Sequence, residues 1–305
     1  MESTGCHRRF LKLSILECKG KNLYYRLIRK KGRIVMQEKA LVLDIDGTLT
    51  NSKKEITTAT KQGIQKVMET GHKVILASGR PTPGMRRCEK ELELEKYGGY
   101  LLSFNGARII ECRTGEIVYQ RLLPLTIIPS LYAFAKKNGC GLITYFGESL
   151  ISAFEPDEYV ELESRINGMP IKVVENFTDY VDFDINKCIL TAPGDKAARL
   201  EKELQVKYGE IASVYRSEPF FIEIMPQNVD KATSLDRMLE SISITRENTI
   251  CCGDGFNDIS MIKYAGMGVA MGNAQQAVKE AADYITGTND EDGLVQVVDK
   301  FILNQ

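Results

Sequence analysis

The stretch Ala40-Leu41-Val42-Leu43-Asp44-Ile45-Asp46-Gly47-Thr48-Leu49-Thr50 decides how the rest of the chain is read. Its first four residues are an unbroken apolar run, which suits a strand buried on both faces of a parallel sheet. The run stops abruptly at Asp44-Ile45-Asp46. Two carboxylates at the end of a buried strand are costly unless something compensates their charge. A divalent cation would do so, and oxygen-only ligands point to Mg²⁺. Gly47 lets the chain turn sharply, leaving backbone N–H groups that could face an anion. A lone D-x-D is more often an Asx turn, so the reading depends on what other strand ends carry.

Working outward, two further apolar runs end in polar clusters. Residues 73–77 lead into Ser78-Gly79-Arg80, and residues 249–252 into Gly253-Asp254-Gly255-Phe256-Asn257-Asp258. The Ser78 hydroxyl, the Gly79 N–H and Arg80 suit an oxyanion, although S-G-R in isolation is usually an N-cap serine beside a solvated arginine. Asp254 and Asp258 are four apart, so one helical turn could bring them to one side. In open α/β sheets ligands sit beyond the carboxyl ends of the strands. Three strand ends carrying carboxylates, a hydroxyl and an arginine are therefore not read as ordinary turns.

Helical periodicity is expected over 56–70, 83–95, 230–240, 259–264, 274–282 and 293–303, and further strands over 100–104, 268–271 and 284–285. Residues 108–112 and 116–120 read as a hairpin around Thr114-Gly115. Between residues 121 and 223 the texture changes. Helices are expected over 127–138, 157–166 and 196–208, with short alternating strands over 142–145, 150–154, 171–174, 187–191, 211–215 and 220–225. The expected fold class is α/β: a Rossmann-like parallel-sheet core over 36–120 and 224–305, with an inserted α+β cap domain over 121–223. Helices should cover the single apolar face of the inserted sheet.

Composition narrows the function classes. The 305 residues carry a net charge of −1, but residues 1–35 alone hold ten Lys/Arg against two acids. The remaining body is acidic, which argues against nucleic acid as a partner. No apolar run approaches a membrane span, so no membrane partner is expected. The eight cysteines are scattered without a metal-type C-x-x-C and read as reduced thiols of a cytoplasmic protein. Only two histidines are present, which disfavours histidine-based zinc chemistry. The basic segment 1–35 has three readings: a translation-start artefact with Met36 as the true start, an arm for anionic surfaces, or a short helical appendage. Met36 lies just ahead of the first buried strand, which favours the first.

From about Met36 onward the chain resembles the haloacid dehalogenase-like hydrolases, most closely the Cof-type phosphatases with an α+β cap between their second and third motifs. D-I-D-G-T matches the first motif, S-G-R the second, Lys231 the third and G-D-G-F-N-D the fourth, in order. Ala232 departs from the glycine that often follows the third-motif lysine, and residues 1–35 have no counterpart. The resemblance implies that Asp44 attacks phosphorus and that Asp46 acts as acid and then base. It implies Mg²⁺ held by the Asp44 carboxylate, the Asp46 carbonyl and Asp254, with Asp258 in support. It also implies that Ser78, Gly79, Lys231, Asn257 and the Ile45 N–H grip the phosphoryl oxygens. A lysine at a helix start is unfavourable by roughly 0.3–1 kcal/mol, which itself suggests a functional reason for Lys231.

The implied substrate is a small phosphorylated metabolite, a sugar phosphate or a phosphorylated cofactor such as pyridoxal phosphate or flavin mononucleotide. Arg80, Asn105, Tyr145 and Glu148 are candidates to select it, and a monomer or small homo-oligomer is expected. Two alternatives stand beside the phosphatase: transfer of the phosphoryl group to an alcohol, and a phosphate-binding regulatory protein without turnover. No G-x-x-x-x-G-K-[ST] supports P-loop chemistry.

Overall fold

Strands β1 (Ile28–Lys30) and β2 (Arg33–Val35) pair antiparallel in the first of the two units into which the chain divides. The computed structural model describes residues 28–30, 33–35 and 37–303. The expectations for the basic segment 1–35 therefore fall largely outside the described residues.

The second unit, Glu38–Gln305, begins with β3 (Ala40–Leu43), whose four residues are completely buried. There follow α1 (Thr58–Glu69), β4 (Lys73–Ala77), α2 (Thr82–Leu92), α3 (Leu94–Tyr97), β5 (Tyr100–Ser103), β6 (Arg108–Glu111) and β7 (Ile117–Gln120). The helix expected over 83–95 is thus two. Glu93 takes a left-handed conformation at φ 58°, ends α2 and starts α3 at a new angle. The interruption left no glycine or proline in the sequence to mark it.

The inserted segment supplies α4 (Ile128–Asn138), β8 (Gly141–Phe146), β9 (Ser149–Ser152), α5 (Glu158–Asn167), β10 (Ile171–Val173), α6 (Phe177–Tyr180), β11 (Cys188–Thr191), α7 (Gly194–Tyr208), β12 (Ala212–Glu218) and β13 (Phe221–Pro226). The chain then completes the first sheet with α8 (Lys231–Ser241), β14 (Thr249–Gly253), α9 (Ile259–Tyr264), β15 (Met267–Ala270), α10 (Gln276–Ala281), β16 (Tyr284–Ile285) and α11 (Gly293–Val298). The final helix expected to reach residue 303 stops at Val298 and continues as one wider π-type turn, Asp299–Leu303.

The eight-stranded sheet has the order β16-β15-β14-β3-β4-β5-β6-β7. It is parallel from β16 to β5 and antiparallel at β6 and β7. Alternate residues of each strand enter opposite layers, as a two-residue period requires. Leu41 and Leu43 of β3, with Val74 and Leu76 of β4, pack against Ile64 and Val67 of α1, Met85 of α2 and Leu294 of α11. Ala40, Val42, Ile75 and Ala77 face Leu235 and Met238 of α8 and Met261 of α9. This two-sided burial is what an unbroken apolar strand demands. The register pairs Leu43 with Cys252 on one side and Leu76 on the other. Asp44, the Ser78 loop and the Asp254 loop consequently leave the sheet at one level.

The second sheet has the order β10-β9-β8-β11-β13-β12. As an α+β cap should, it buries one face under helices: Leu142, Leu190 and Ile222 meet Leu131 of α4, Phe177 of α6 and Leu200 of α7. The opposite face is also partly apolar. Ile143, Tyr145 and Ile189 pack with Val160 of α5 and with Phe104 and Ala107 of the first sheet's loops. β9 and β10 pair in parallel across α5, so this edge is a crossover and not a hairpin. The four residues of α6 had no periodicity to reveal them, yet Phe177 is among the largest fully buried side chains of the molecule. Phe177→Ala should cost about 3–5 kcal/mol through the cavity it leaves. The expected reading is a lower urea midpoint at unchanged slope; a change below about 1 kcal/mol would show that α6 does not anchor its layer.

Candidate active site

β3 delivers Asp44 to the carboxyl end of the sheet, where its backbone N–H donates to the Cys252 carbonyl at 3.0 Å. The turn that follows requires Gly47, which sits at φ 83°. A Cβ there would fall on the Asp254 carboxylate. Thr48 Oγ1 donates to Asp254 Oδ1 at 3.0 Å, locking the first loop to the fourth. Ile45 turns its side chain into the core, and its carbonyl accepts from the N–H and the hydroxyl of Thr50.

Asp44, Asp254 and Asp258 each place a carboxylate oxygen within 4.8 Å of the others. Beneath them lies Lys231, the first residue of α8 and only 1% exposed. Its Nζ donates to Asp44 Oδ1 at 2.7 Å, Asp258 Oδ1 at 2.6 Å and the Ala77 carbonyl at 2.8 Å. Those contacts use all three ammonium donors. Asp230 caps the helix in its place, accepting from the N–H groups of Ala232 and Thr233. Asp258 Oδ2 accepts from the N–H groups of Asp254 and Gly255 at 3.0 and 2.9 Å. Asp258 therefore shapes its own loop and shares the lysine.

The charges are unevenly satisfied. Burial, and then the neighbouring Asp258, push the Asp44 carboxyl well up; Lys231 opposes them. Burial lifts Asp254 to about 6, against the Thr48 hydrogen bond. Burial alone would discharge Lys231, but Asp258 and Asp44 outweigh it and hold the ammonium charged. One cation among three carboxylates leaves excess negative charge in a low-dielectric site. The donor set is all oxygen, so these residues fit Mg²⁺.

Asp46 has the opposite surroundings. Burial would raise it, but Arg80 and Lys54 more than offset this and hold its carboxyl below the usual range. Arg80 Nε donates to Asp46 Oδ2 and Nη2 to Oδ1, both at 2.7 Å, and Lys54 Nζ lies 2.9 Å from Oδ1. Arg80 Nη1 spends its hydrogen bonds on the carbonyls of Gly84 and of Ile166 in α5. Ser78 is buried, and its hydroxyl accepts from the Arg80 N–H at 3.2 Å.

Asp44, Asp46, Ser78, Gly79, Arg80, Asp254, Asn257 and Asp258 all border one cavity of about 810 Å³. Lys231 and Ile45 do not. Lys231 grips Asp44 and Asp258, and Arg80 faces Asp46. Of the residues expected to select substrate, Tyr145 is buried with its hydroxyl on Glu163 Oε1 at 2.6 Å, and Glu148 lies in a separate charged groove with Arg86 and Arg113. Asn105 bridges, donating to Tyr215 and accepting from Asn257, each at 3.2 Å.

Sequence reasoning missed the cavity's roof. Lys187 of the inserted segment pairs with Glu223 at 3.2 Å, both almost fully buried, and also donates to the Gly79 carbonyl at 3.2 Å. Tyr215 donates to Glu223 Oε2 at 3.1 Å. Glu163 and Asn167 line the cavity beside them. A signal existed: Glu223 interrupts the apolar run Phe220-Phe221-Ile222-Glu223-Ile224-Met225, where an unpaired charge is as costly as at Asp44.

Removing Lys231 would leave two buried carboxylates facing each other. Lys231→Met should destabilise the metal-free protein by about 3–5 kcal/mol. Added Mg²⁺ should restore part of that loss in thermal melts; an unchanged melting point would show that the lysine is dispensable to the cluster.

The sequence model of the haloacid dehalogenase-like hydrolases matches residues 41–298. A solved haloacid dehalogenase-like hydrolase from Bacteroides thetaiotaomicron is similar at a TM-score of 0.85 and 44% identity, over 87% of this chain and 100% of that one. The 5-amino-6-(5-phospho-D-ribitylamino)uracil phosphatase YcsE of Bacillus subtilis is 31% identical, over 87% of this chain and 96% of its own. A solved sugar phosphatase of the superfamily's subclass IIB is 28% identical at a TM-score of 0.74, over 86% and 98% of the two chains. With the motif loops meeting at the carboxyl end of the sheet and the family's sequence pattern running from β3 to the end of α11, the chain belongs to the haloacid dehalogenase-like hydrolases and is a phosphatase of their Cof-type branch.

Proposed function

We propose that the protein is a Mg²⁺-dependent phosphatase that acts on small hydroxyl-rich phosphomonoesters, such as sugar or ribityl phosphates, through an aspartyl-phosphate on Asp44. The observation that carries this reading is the pair of contacts from Lys231 Nζ to Asp44 and Asp258, at 2.7 and 2.6 Å, beneath a third carboxylate. A carboxylate fixed by one oxygen keeps the other for attack. Asp44 would bond to phosphorus as the ester oxygen departs with a proton from Asp46. Water would then attack phosphorus, give its proton to Asp46 and release phosphate, regenerating Asp44. Mg²⁺, held by Asp44, Asp254 and the Asp46 carbonyl with Asp258 in support, would supply charge neutralisation for the phosphoryl oxygens. Ser78, Gly79 and Asn257 border the space where those oxygens would lie.

In the arrangement described, Asp46 is poised as the base and not as the acid, because Arg80 and Lys54 favour its ionised form. Proton delivery in the first step would require that clamp to loosen. Arg80 also reaches the Ile166 carbonyl, so the clamp is tied to the position of α5. The polar roof of Lys187, Glu223, Glu163 and Asn167 supports a leaving group rich in hydroxyls. The names of the ribitylaminouracil and sugar phosphatases among the relatives support the same class.

Chelation should abolish release of phosphate from a panel of phosphomonoesters, and Mg²⁺ should restore it while raising the melting temperature through linkage. Full activity after exhaustive metal removal would sink the metal assignment. Asp46→Asn keeps its carbonyl and should still accept the phosphoryl group from p-nitrophenyl phosphate, whose leaving group needs little protonation. Its second step lacks a base, so a burst of nitrophenol, slow turnover and a hydroxylamine-labile acyl-phosphate on Asp44 are expected. Asp44→Asn should form none; phosphate trapped on any other residue would overturn the roles.

A further inference from the structure

A second cavity, of about 380 Å³, opens between the two sheets on the far side of Tyr145. Tyr145 lines this cavity, Lys187 lines the catalytic one, and the Lys187 ammonium lies 5.6 Å from the centre of the Tyr145 ring. Those two side chains stand between the cavities, and Pro83 borders both. The cavity receives Phe104 from the turn after β5 and Arg108 from β6, and Phe146 from β8 with Phe183 and Asp184 from the loop before β11.

Arg108 is the unusual member. Its Nε is buried without a hydrogen-bond partner, and among the described residues its guanidinium joins no salt bridge. Its recorded neighbour is the face of Phe104, at 5.9 Å. Asp184 acts on it only at a distance, and burial weakens its hold on its charge. Arg80, by contrast, has every edge of its fork engaged. A charged guanidinium without a protein acceptor is open to one arriving from solution.

The wall opposite is aromatic and open. Phe146 is 49% exposed, and its ring centre lies 4.1 Å from that of Phe183. Tyr180 meets Phe183 edge-on at 6.2 Å. An exposed aromatic shelf next to an unsatisfied guanidinium suits a ligand with an anionic head and a flat apolar body. Arg108 is the only cation among the residues lining the cavity, and Asp184 adds negative charge to its rim. A dianionic phosphate would meet one cation and one repelling carboxylate. A monoanionic carboxylate matches the planar fork in two parallel hydrogen bonds.

We propose that this cavity is a binding site, separate from the catalytic one, for a small aromatic monocarboxylate held by Arg108 and stacked on Phe146 and Phe183. The probe is para-fluorobenzoate, followed by fluorine NMR on the full chain with Mg²⁺ and saturating inorganic phosphate, which occupies the catalytic cavity. Saturable broadening that phosphate does not displace is expected. Arg108→Gln should weaken it by about tenfold or more, as loss of a charge-assisted pair implies. Phe146→Ala, at an exposed position, should also weaken it. The neutral para-fluorobenzamide should not bind. Hydrolysis of p-nitrophenyl phosphate without the probe should be unchanged in both variants, which confirms folding. No saturable binding overturns the proposal. So does displacement by phosphate, equal binding of the amide, or, in folded variants, binding that neither substitution alters.

Discussion

Asp44 and Asp258 come within hydrogen-bonding distance of one ammonium, that of the almost wholly buried Lys231. Each carboxylate alone would be too costly to bury, and the lysine would be as well. Together they fix three elements at one point: the end of β3, the start of α8 and the loop after β14. The Ala77 carbonyl adds the end of β4. The parallel register brings these strand ends level, and the buried cation keeps their loops from springing apart. With its three donors engaged, the ammonium holds Asp44 in place and tempers its charge.

The two leading aspartates show how environment divides labour between identical groups. Asp44 is buried beside other carboxylates, and its charge is disfavoured. Asp46, two residues on, is gripped by Arg80 and Lys54 and stays ionised. Only Ile45 separates these two environments along the chain. Arg80 makes this separation depend on the inserted segment, since the same guanidinium touches both Asp46 and the Ile166 carbonyl.

A second tie between the layers runs through Lys187 and Glu223. Lys187 holds the Gly79 carbonyl, while Glu223 connects through Tyr215 and Asn105 to Asn257. The loops of the second and fourth motifs are thereby joined to one buried pair in the roof. Whatever displaces that pair also moves the loops below it. Asn105 belongs to this route; its left-handed backbone at φ 52° presents its amide to both sides.

The alternation of apolar runs and polar strand ends was legible in the sequence because burial and ionisation obey local rules. An apolar tetrad must lie between two layers, and carboxylates at its end must be compensated. Residues 259–264 and 73–77 stand as helix and strand where periodicity put them, and the three strand-end clusters leave the sheet together, with Lys231 joining them from the start of α8. What periodicity could not carry was anything decided by a partner distant in the chain. The break at Glu93, the buried turn around Phe177 and the parallel pairing of β9 with β10 are settled by packing across the fold. The facing of Arg80 toward Asp46, and of Lys231 toward Asp44, depends on contacts spanning 34 and 187 residues. A sequence states which charges must be satisfied; only the tertiary structure decides which opposite charge arrives to satisfy them, because Coulombic and hydrogen-bonding gains are collected at a few ångströms whatever the separation along the chain.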